Sequence, residues 1–301
     1  MSTQIERGAW LPILPPDDGA GIAPAPALDA APASHAAEII IEEGQATDPR
    51  YPHFLSLVLP AHNEEGNIEA VTWDALAILP ELFQGFEIVI VDDGSTDATP
   101  RIIDRLAADE RVRVIHHPQN RGYGAALRSG FAAARGDRIL FMDADRQFDI
   151  REVAKLAPLT ERYDIVAGYR LRRNDPWQRV ALGATFNAVV KLLFGVWVRD
   201  IDCGFKLFRA DLLRGLDLHA PGALLNTEIL ALAHRQGATL TEVGVTHHPR
   251  SAGAQSGGSP RVVLRSLNEM LHLWRRLRAS TLTPERPEAR ALGAKIGEQS
   301  R

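Results

Sequence analysis

The sequence predicts an α/β fold in which a mostly parallel sheet is covered by helices on both faces. Short runs rich in β-branched residues alternate with segments whose apolar residues recur at helical spacing. The predicted strands are residues 54–60, 86–92, 112–117 and 138–143. Strands that alternate with helices pair in parallel, and both faces of such a sheet are buried. With 301 residues, 45% hydrophobic and 24% charged, the chain is long and apolar enough for such a core.

The segments that flank the predicted sheet differ from it in composition. Residues 1–50 are rich in Pro and Ala and are predicted to be disordered, and 280–301 are predicted to form a flexible tail. The folded domain is predicted to span 51–258, followed by a basic amphipathic helix over 259–279. The N-terminus lacks the pattern of a secretory signal, and the apolar run 181–198 is short and interrupted for a membrane span of ~20 residues. No transmembrane helix is therefore predicted.

Net charge and cysteine content indicate which partners and which cellular compartment to expect. The net charge of −4 gives no bulk attraction to nucleic acid, so no nucleic-acid partner is predicted. The single cysteine, Cys203, excludes an intramolecular disulfide framework and is typical of a reducing compartment. These features predict a cytoplasmic protein, and they give no indication of its oligomeric state.

Each of the four predicted strands ends in a polar loop. Because the carboxyl ends of parallel strands share one edge, the loops AHNEEGN, DGSTDAT, PQNRGYG and ADRQFD converge where ligands of such sheets bind. In the second loop Gly94 permits a turn and Ser95 or Thr96 can cap a helix, so a structural turn and a nucleotide contact both fit. In RGYGAALRSG the third glycine position of a dinucleotide fingerprint is occupied by Leu127. A nicotinamide dehydrogenase is therefore disfavoured.

Asp143 and Asp145 form the strongest candidate for a metal site. Residues two apart at the end of a strand point the same way, so both carboxylates face one spot. Their charges repel each other unless a cation neutralises them. Ligand sets made only of oxygen favour Mg²⁺ or Mn²⁺, which retain open coordination positions for the phosphates of a substrate. The sequence therefore predicts a divalent cation at these two aspartates.

Six segments of the chain together resemble glycosyltransferase family 2. They are SLVLPAHNEEGNI, EIVIVDDGSTDAT, NRGYGAALRSGF, GDRILFMDADRQFD, DIVAGYR and DIDCGFKLFR, which occur in the family's order over roughly residues 54–250. The resemblance is particularly to its polyprenyl-phosphate sugar transferases of the dolichyl-phosphate mannosyltransferase type. It implies the GT-A fold, a GDP- or UDP-linked sugar as donor, a polyprenyl phosphate as acceptor, and transfer with inversion at the anomeric carbon.

The resemblance also implies roles for individual residues of this chain. The implied donor-binding residues are Pro60, Ala61, Asn63, Glu64, Asp92, Asp93, Asp143, Ala144 and Asp145. The implied acceptor-binding residues are Arg170, Asp200, Lys206, Glu228 and Arg250. The implied metal ligands are Asp143, Asp145 and Gln147. The implied catalytic residues are Asp143, Asp145, Arg170 and Arg250.

The chain departs from the family pattern in several places. Tyr123 replaces a lysine that often follows NRG, and the segment RSAGAQSGGSP after Arg250 contains no lysine. The donor phosphates are therefore expected to receive less cationic support from these loops. No counterpart of the membrane-spanning tail of many relatives is predicted in this sequence. No Gln-x-x-Arg-Trp signature follows Arg250, which predicts one transfer per acceptor rather than processive synthesis.

The chemistry of the acceptor predicts which groups catalysis needs. An alcohol must lose a proton as it attacks, so its transfer requires a positioned general base. The second pKa of a phosphate monoester is about 6, so its oxygen is already mostly ionised at neutral pH. A phosphate acceptor therefore needs cations such as Arg170 and Arg250 more than it needs a base.

The predicted helix over residues 260–278 offers a way to reach a lipid acceptor. Its apolar face consists of Val263, Leu267, Met270, Leu271, Trp274 and Leu277. Basic amphipathic helices with tryptophan often lie in a membrane interface, and the same pattern also fits a helix packed on its own domain. We expect peripheral association with a membrane surface. Two alternatives stay open, a soluble glycosyltransferase with a small-molecule or protein acceptor and a non-catalytic nucleotide-sugar-binding protein.

Overall fold

The computed structural model describes residues 48–171, 177–249 and 260–279. The segments predicted to be a disordered N-terminus and a flexible tail lie outside these residues, apart from residues 48–50 at the end of the first one. Arg250 and the glycine-containing segment that follows it also lie outside them.

A seven-stranded sheet forms the centre of the molecule. Its strands are β1 (Tyr51–Ala61), β2 (Phe83–Asp92), β3 (Val112–His116), β4 (Arg138–Met142), β5 (Ile165–Arg170), β6 (Phe205–Arg209) and β7 (Leu240–Val245). The order across the sheet is β3-β2-β1-β4-β6-β5-β7. All neighbours pair in parallel except β6, which is antiparallel to both β4 and β5. The predicted mostly parallel sheet is confirmed, and β1 to β4 overlap the four predicted strands, with β1 and β2 beginning three residues earlier than predicted.

The helices follow the strands as predicted. They are α1 (Ile68–Leu82), α2 (Thr99–Leu106), α3 (Tyr123–Ala133), α4 (Val153–Leu156), α5 (Trp177–Phe194), α6 (Ala210–Arg214), α7 (Leu225–Arg235) and α8 (Pro260–Ala279). Two short 3₁₀ helices flank α4. Within the described residues, no helix combines the length and the apolar composition that a membrane crossing requires.

Apolar side chains are buried on both faces of the sheet. Every residue of β1 from Leu55 to Ala61 is buried, as expected of a central parallel strand. Neighbouring residues of that strand alternate between two cores: Leu57 packs with apolar residues of α1 and α2, and Val58 packs with those of α3, α7 and α8. The two cores cover both faces of the sheet, and the loops lie at its carboxyl edge.

The reversed strand β6 brings a further loop to this edge. Met142 of β4 lies opposite Phe205 of β6, so β6 begins where β4 ends. The residues just before β6 therefore lie beside Asp143, whose N–H donates to the carbonyl of Gly204 at 3.1 Å. A parallel β6 would have carried this loop to the opposite edge of the sheet. The antiparallel strand thus joins the motif at the end of β4 to the motif that precedes β6.

The second half of α8 packs on the domain, which corrects the interpretation of its apolar face. Met270, Leu273 and Leu277 are buried in the core that also contains residues of α3 and α7. Leu271, predicted to lie on one face with Met270 and Leu277, is 41% exposed, whereas Leu273, which that face did not include, is buried. The face therefore follows the spacing i, i+3, i+7 from Met270, and it is covered by protein. Over these residues the helix matches the alternative of packing on its own domain rather than the predicted membrane interface.

Candidate active site

Hydrogen bonds join the loops that follow β1 and β2. The N–H of Thr96 donates to Asn63 Oδ1 at 2.8 Å, and the N–H of Glu64 donates to Thr99 Oγ1 at 2.8 Å. Asn63 has a φ of 56°, a left-handed conformation that asparagine adopts more readily than most residues. The predicted donor residues at this joint are Pro60, Ala61, Asn63 and Glu64. The two loops therefore form one unit at the strand-end edge.

The carboxylate of Asp93 holds the loop between β3 and α3. The N–H groups of Arg121 and Gly122 donate to its two oxygens at 2.9 and 2.7 Å. His117 Nδ1 lies 2.6 Å from Asp93 Oδ1, and the other ring nitrogen of His117 lies 2.9 Å from Ser129 Oγ. Asp93 is only 3% exposed. Both of its oxygens are thus occupied by protein donors.

Both carboxylate oxygens of Asp92, the last residue of β2, also lie within hydrogen-bond distance of protein groups. The N–H of Ser95 donates to Asp92 Oδ1 at 2.9 Å, and His116 Nδ1 lies 3.0 Å from Asp92 Oδ2. The hydrogen bond with Asp92 raises the pKa of His116, against the effect of burial and with a further contribution from Asp104. The sequence analysis did not single out His116 or its neighbour His117. Their position at the end of a strand next to the site loops was the available signal.

Asp143 lies between the β3–α3 loop and the loop before β6. The hydroxyl of Tyr123 donates to Asp143 Oδ1 at 2.8 Å. A Cβ on Gly204 would overlap Asp143 Oδ2, so only glycine allows the two motifs to approach this closely. Burial and, next, the charge of Asp145 raise the pKa of Asp143 to about 7. Tyr123, noted in the sequence as a replaced lysine, is therefore a neutral donor to the first aspartate.

The residues present at the end of β4 fit a divalent cation. The carboxylates of Asp143 and Asp145 repel each other in a partly buried place, which a cation would relieve. In the described part of the chain, no three or more His, Cys, Asp or Glu side chains form a metal-binding group. Gln147 Nε2 donates to the carbonyl of His248 at 3.1 Å, and the buried Ala144 offers only its backbone. Such a set leaves coordination positions for a ligand rather than enclosing a structural metal.

Arg170 and Asp200 form an ion pair close to Asp143. Arg170 Nε donates to Asp200 Oδ2 at 2.6 Å, and Nη2 donates to Oδ1 at 2.8 Å. This two-pronged geometry fixes the plane of the guanidinium group. Arg170 also acts to lower the pKa of Asp143, so the pair lies within electrostatic range of the carboxylates. The structure thus brings these two acceptor residues of the sequence analysis together beside the metal motif.

Lys206 lies in a different place from the one expected of an acceptor contact. It is 1% exposed, and its Nζ donates to the carbonyls of Ile201 and Cys203, at 2.9 Å for Ile201. Nζ also lies 5.3 Å from the ring centroid of Phe141. The lysine therefore stabilises the loop before β6 through these backbone carbonyls, and its ammonium group is buried rather than available to an acceptor. The motif alone did not indicate that β4 and β6 bury this lysine.

Glu228 is also a support for the site. This residue of α7 is 1% exposed. It accepts hydrogen bonds from the N–H groups of His219 and Ala220, at 3.0 and 2.7 Å for Oε2, and from Arg276 of α8. The carbonyl of Ala220 in turn packs against Gly124, near the start of α3. Glu228 thus connects α8 to the start of α3, and its contact with Arg276 was missed because the two residues are distant in sequence.

Comparison with known proteins adds independent information. Residues 56–230 match the sequence profile of the family described as Glycosyl transferase family 2. The chain is 34% identical over 226 residues to the dolichyl-phosphate beta-glucosyltransferase of Saccharomyces cerevisiae, covering 65% of this chain and 67% of that protein. It is 31% identical over 229 residues to the polyprenol monophosphomannose synthase of Mycolicibacterium smegmatis, covering 70% of this chain and 85% of that protein.

The coverage of the relatives is unequal. With the glycosyltransferase AglD of Haloferax volcanii the identity is 34% over 233 residues, 73% of this chain but only 37% of that protein. Among solved structures, a glucosyl-3-phosphoglycerate synthase from Mycobacterium tuberculosis in complex with Mn²⁺, uridine diphosphate and phosphoglyceric acid has a TM-score of 0.54 and 25% identity. It covers 77% of this chain and 78% of its own.

Proposed function

The chain belongs to glycosyltransferase family 2 and has the GT-A fold, and from this premise we propose that it transfers a sugar from a nucleotide-sugar to a polyprenyl phosphate. The observation that carries the proposal is that Asp143 lies within electrostatic range both of Asp145 and of Arg170, which ends β5 and is paired with Asp200 of the loop before β6. The two carboxylates can bind a cation that neutralises the departing diphosphate, and the arginine can bind the phosphate of the acceptor. Relatives named for dolichyl-phosphate and polyprenol substrates support this acceptor class.

We assign to Asp143 and Asp145 the binding of Mg²⁺ or Mn²⁺ together with the donor diphosphate. Gln147 would contribute through Oε1, because its Nε2 already donates to His248. When bound, such a cation neutralises the negative charge that develops on the leaving diphosphate. Tyr123 holds Asp143 in position through its hydroxyl. The complex of the solved neighbour with Mn²⁺ and uridine diphosphate supports this assignment.

We assign the nucleoside of a GDP- or UDP-sugar to the joined loops after β1 and β2. Asn63 and Glu64 lie at this joint and hold its shape through their hydrogen bonds to the second loop. Asp92 and Asp93 hold the surrounding backbone, because protein donors already occupy the oxygens of both carboxylates. In this proposal the nucleoside binds to the two loops, and the two aspartates fix the backbone of these loops instead of contacting the nucleoside.

The acceptor phosphate attacks the anomeric carbon from the side opposite the diphosphate. The new bond joins a phosphate oxygen to that carbon as its bond to the diphosphate oxygen breaks, so the configuration inverts. A phosphate monoester has a second pKa of about 6, so the step needs no general base at neutral pH. Arg170, oriented by Asp200, holds the phosphate. Arg250, outside the described residues, is proposed as a second cation for the same phosphate.

The test of this function is an activity assay on the variant Asp145→Asn. The substitution keeps the size of a side chain at a strand end and removes one charge, so we expect folding to be retained and transfer to fall by about 100-fold or more. The assay measures radiolabelled sugar passing from a nucleotide-sugar to a polyprenyl phosphate in the presence of Mn²⁺. Asp149→Asn serves as the control, because Asp149 accepts from the N–H of Arg151 within the same loop. Near-normal turnover by Asp145→Asn would exclude the metal assignment.

A second candidate function is transfer to a small, soluble phosphorylated acceptor. The observation that favours it is the phosphoglyceric acid present in the complex of the solved neighbour. The same residues would serve both acceptors, since each presents a phosphate to Arg170. A competition assay with equal concentrations of a polyprenyl phosphate and phosphoglyceric acid separates the two, and we expect the lipid to take the label.

A further inference from the structure

Large apolar side chains are exposed on the segments next to Arg170 and Asp200 in the sequence. Three of the six such side chains in the described part of the chain occur there: Leu171 at 57%, Leu192 at 85% and Trp197 at 51% exposure. Isolated exposed apolar residues are normal in soluble proteins, whereas a contiguous group of them marks an interaction site. Leu171 directly follows Arg170, and Trp197 lies three residues before Asp200.

Two cation–π contacts connect the elements that carry these side chains. Lys191 Nζ lies 5.6 Å from the ring centroid of Trp197, which connects the end of α5 to the loop that follows it. The guanidinium carbon of Arg199 lies 4.6 Å from the ring centroid of Tyr169, which connects that loop to the end of β5. We call these residues the acceptor-side surface: Tyr169, Leu171, Lys191, Leu192, Trp197 and Arg199.

The charges of the acceptor-side surface are complementary to anionic lipid. Lys191 and Arg199 flank the tryptophan, although the whole chain has a net charge of −4, so this basic character is local. Of the acids beside Arg199, Asp200 is paired with Arg170, and Glu242 accepts from the N–H of Arg199 at 2.7 Å. Burial raises the pKa of Glu242, so it offsets the cations less than an exposed carboxylate would. Tryptophan with lysine and arginine is the side-chain combination that favours the boundary between lipid headgroups and acyl chains.

We propose that the acceptor-side surface docks on an anionic lipid bilayer and presents Arg170 to a phosphate in the headgroup layer. The inference rests on the proposed function in one respect, because a lipid-linked acceptor gives this face a reason to meet a membrane. The alternative surface, the apolar face of α8, is covered by the domain at Met270, Leu273 and Leu277. The membrane contact expected from the sequence is therefore assigned to the end of α5 and the loop before β6.

Co-sedimentation with protein-free vesicles tests the proposal without any use of turnover. The vesicles contain phosphatidylcholine alone or with phosphatidylglycerol, and the variants are Leu192→Ala combined with Trp197→Ala, and Lys191→Glu combined with Arg199→Glu. We expect the wild-type chain to bind the anionic vesicles and each double variant to bind them at least about fivefold more weakly, with the charge variant losing its preference for anionic lipid. Trp73→Ala is the matched control, because Trp73 is 57% exposed on α1, which packs on the other face of the sheet.

Each outcome of this experiment has a definite meaning. Equal binding by the wild type and both double variants, or no binding by the wild type, overturns the proposal. Binding only to native membranes that retain their proteins also overturns it, because the partner is then a protein. If the vesicle results hold but no acceptor phosphate is glycosylated, the proposed function fails and the docking surface stands. In an active enzyme, we expect the Leu192→Ala, Trp197→Ala variant to lose turnover of a vesicle-bound acceptor but to keep turnover of a short-chain, water-soluble acceptor phosphate within about twofold.

Discussion

At the scale of single residues, the site depends on one close approach that only glycine permits. We expect Gly204→Ala to reduce sugar transfer by about 100-fold, because the new methyl group would displace the carboxylate of Asp143 from its position. Gly215→Ala is the matched control, since a Cβ there would meet neighbouring backbone oxygens at 3.4 Å, an ordinary contact distance. Steady-state assays of both variants at saturating Mn²⁺ check the prediction. Equal activity of the two variants would contradict the proposed position of Asp143.

A second residue-scale prediction concerns His116 and the pH dependence of stability. The contact with Asp92 raises the pKa of His116 above the value of the unfolded chain, which is about 6.5. The stabilisation is therefore complete below that unfolded value and is lost as the pH rises through the raised folded pKa. The difference in unfolding free energy between the wild type and His116→Gln should shrink from pH 5.5 to pH 8.5, a range set around about 6.5. Urea titrations measure it, and a difference that grows with pH would contradict the assignment.

At the scale of elements, a buried carboxylate connects the three strands at one side of the sheet. Glu87 of β2 accepts from Ser56 Oγ of β1 at 2.7 Å, from Arg113 of β3 at 2.9 Å and from the N–H of Arg135 at 2.6 Å. Burial opposes ionisation of Glu87, and the hydrogen bonds outweigh it, so its pKa is lowered. The ionised carboxylate is thus a structural part of the sheet.

We expect Glu87→Ala to lower the unfolding free energy by about 3–5 kcal/mol, because it leaves Arg113 and two other donors without their acceptor. Glu81→Ala, at an exposed position of α1, should change it by no more than about 0.5 kcal/mol. Denaturant unfolding followed by circular dichroism measures both. A small effect of Glu87→Ala would mean that water replaces the lost carboxylate.

The elements differ in how far the sequence could predict them. Strands β1, β2 and β4 were predictable because runs buried on both faces are continuously apolar, and β3, at the edge of the sheet, was predictable from its β-branched residues. The direction of β6 was not, since alternation of apolar residues does not encode whether a strand runs parallel or antiparallel. The site residues also differ in how far the sequence could predict them. The aspartates at strand ends were predictable, whereas the burial of Lys206 depends on how β6 packs against β4.

At the scale of the whole molecule, α8 completes the core and supports the site from outside the sheet. We expect Leu273→Ala to lower the unfolding free energy by about 2–5 kcal/mol, because Leu273 is buried in the core shared with α3 and α7. Leu271 lies two residues before Leu273 and is 41% exposed, so Leu271→Ala should change the unfolding free energy only slightly. Neither should alter vesicle binding if the acceptor-side surface makes the membrane contact. Thermal and urea unfolding measure the stability difference, and equal destabilisation by both variants would contradict the packing of α8.

The chemistry of the whole enzyme predicts a strict choice between two acceptors with the same lipid chain. A polyprenyl phosphate is already mostly ionised near pH 7, whereas the corresponding alcohol needs a general base, and the proposed site assigns its carboxylates to the cation and to Arg170. We expect transfer to the phosphate and not to the alcohol, and a loss of about 100-fold or more when Arg170→Ala removes the phosphate contact. Arg209→Ala is the control and should retain activity, because Arg209 ends β6 and the loop that contains Asp200 precedes the start of that strand. Product analysis with a radiolabelled nucleotide-sugar measures both acceptors in parallel. Efficient glycosylation of the alcohol would replace this mechanism with general-base catalysis, because a neutral hydroxyl cannot attack the sugar without giving up its proton.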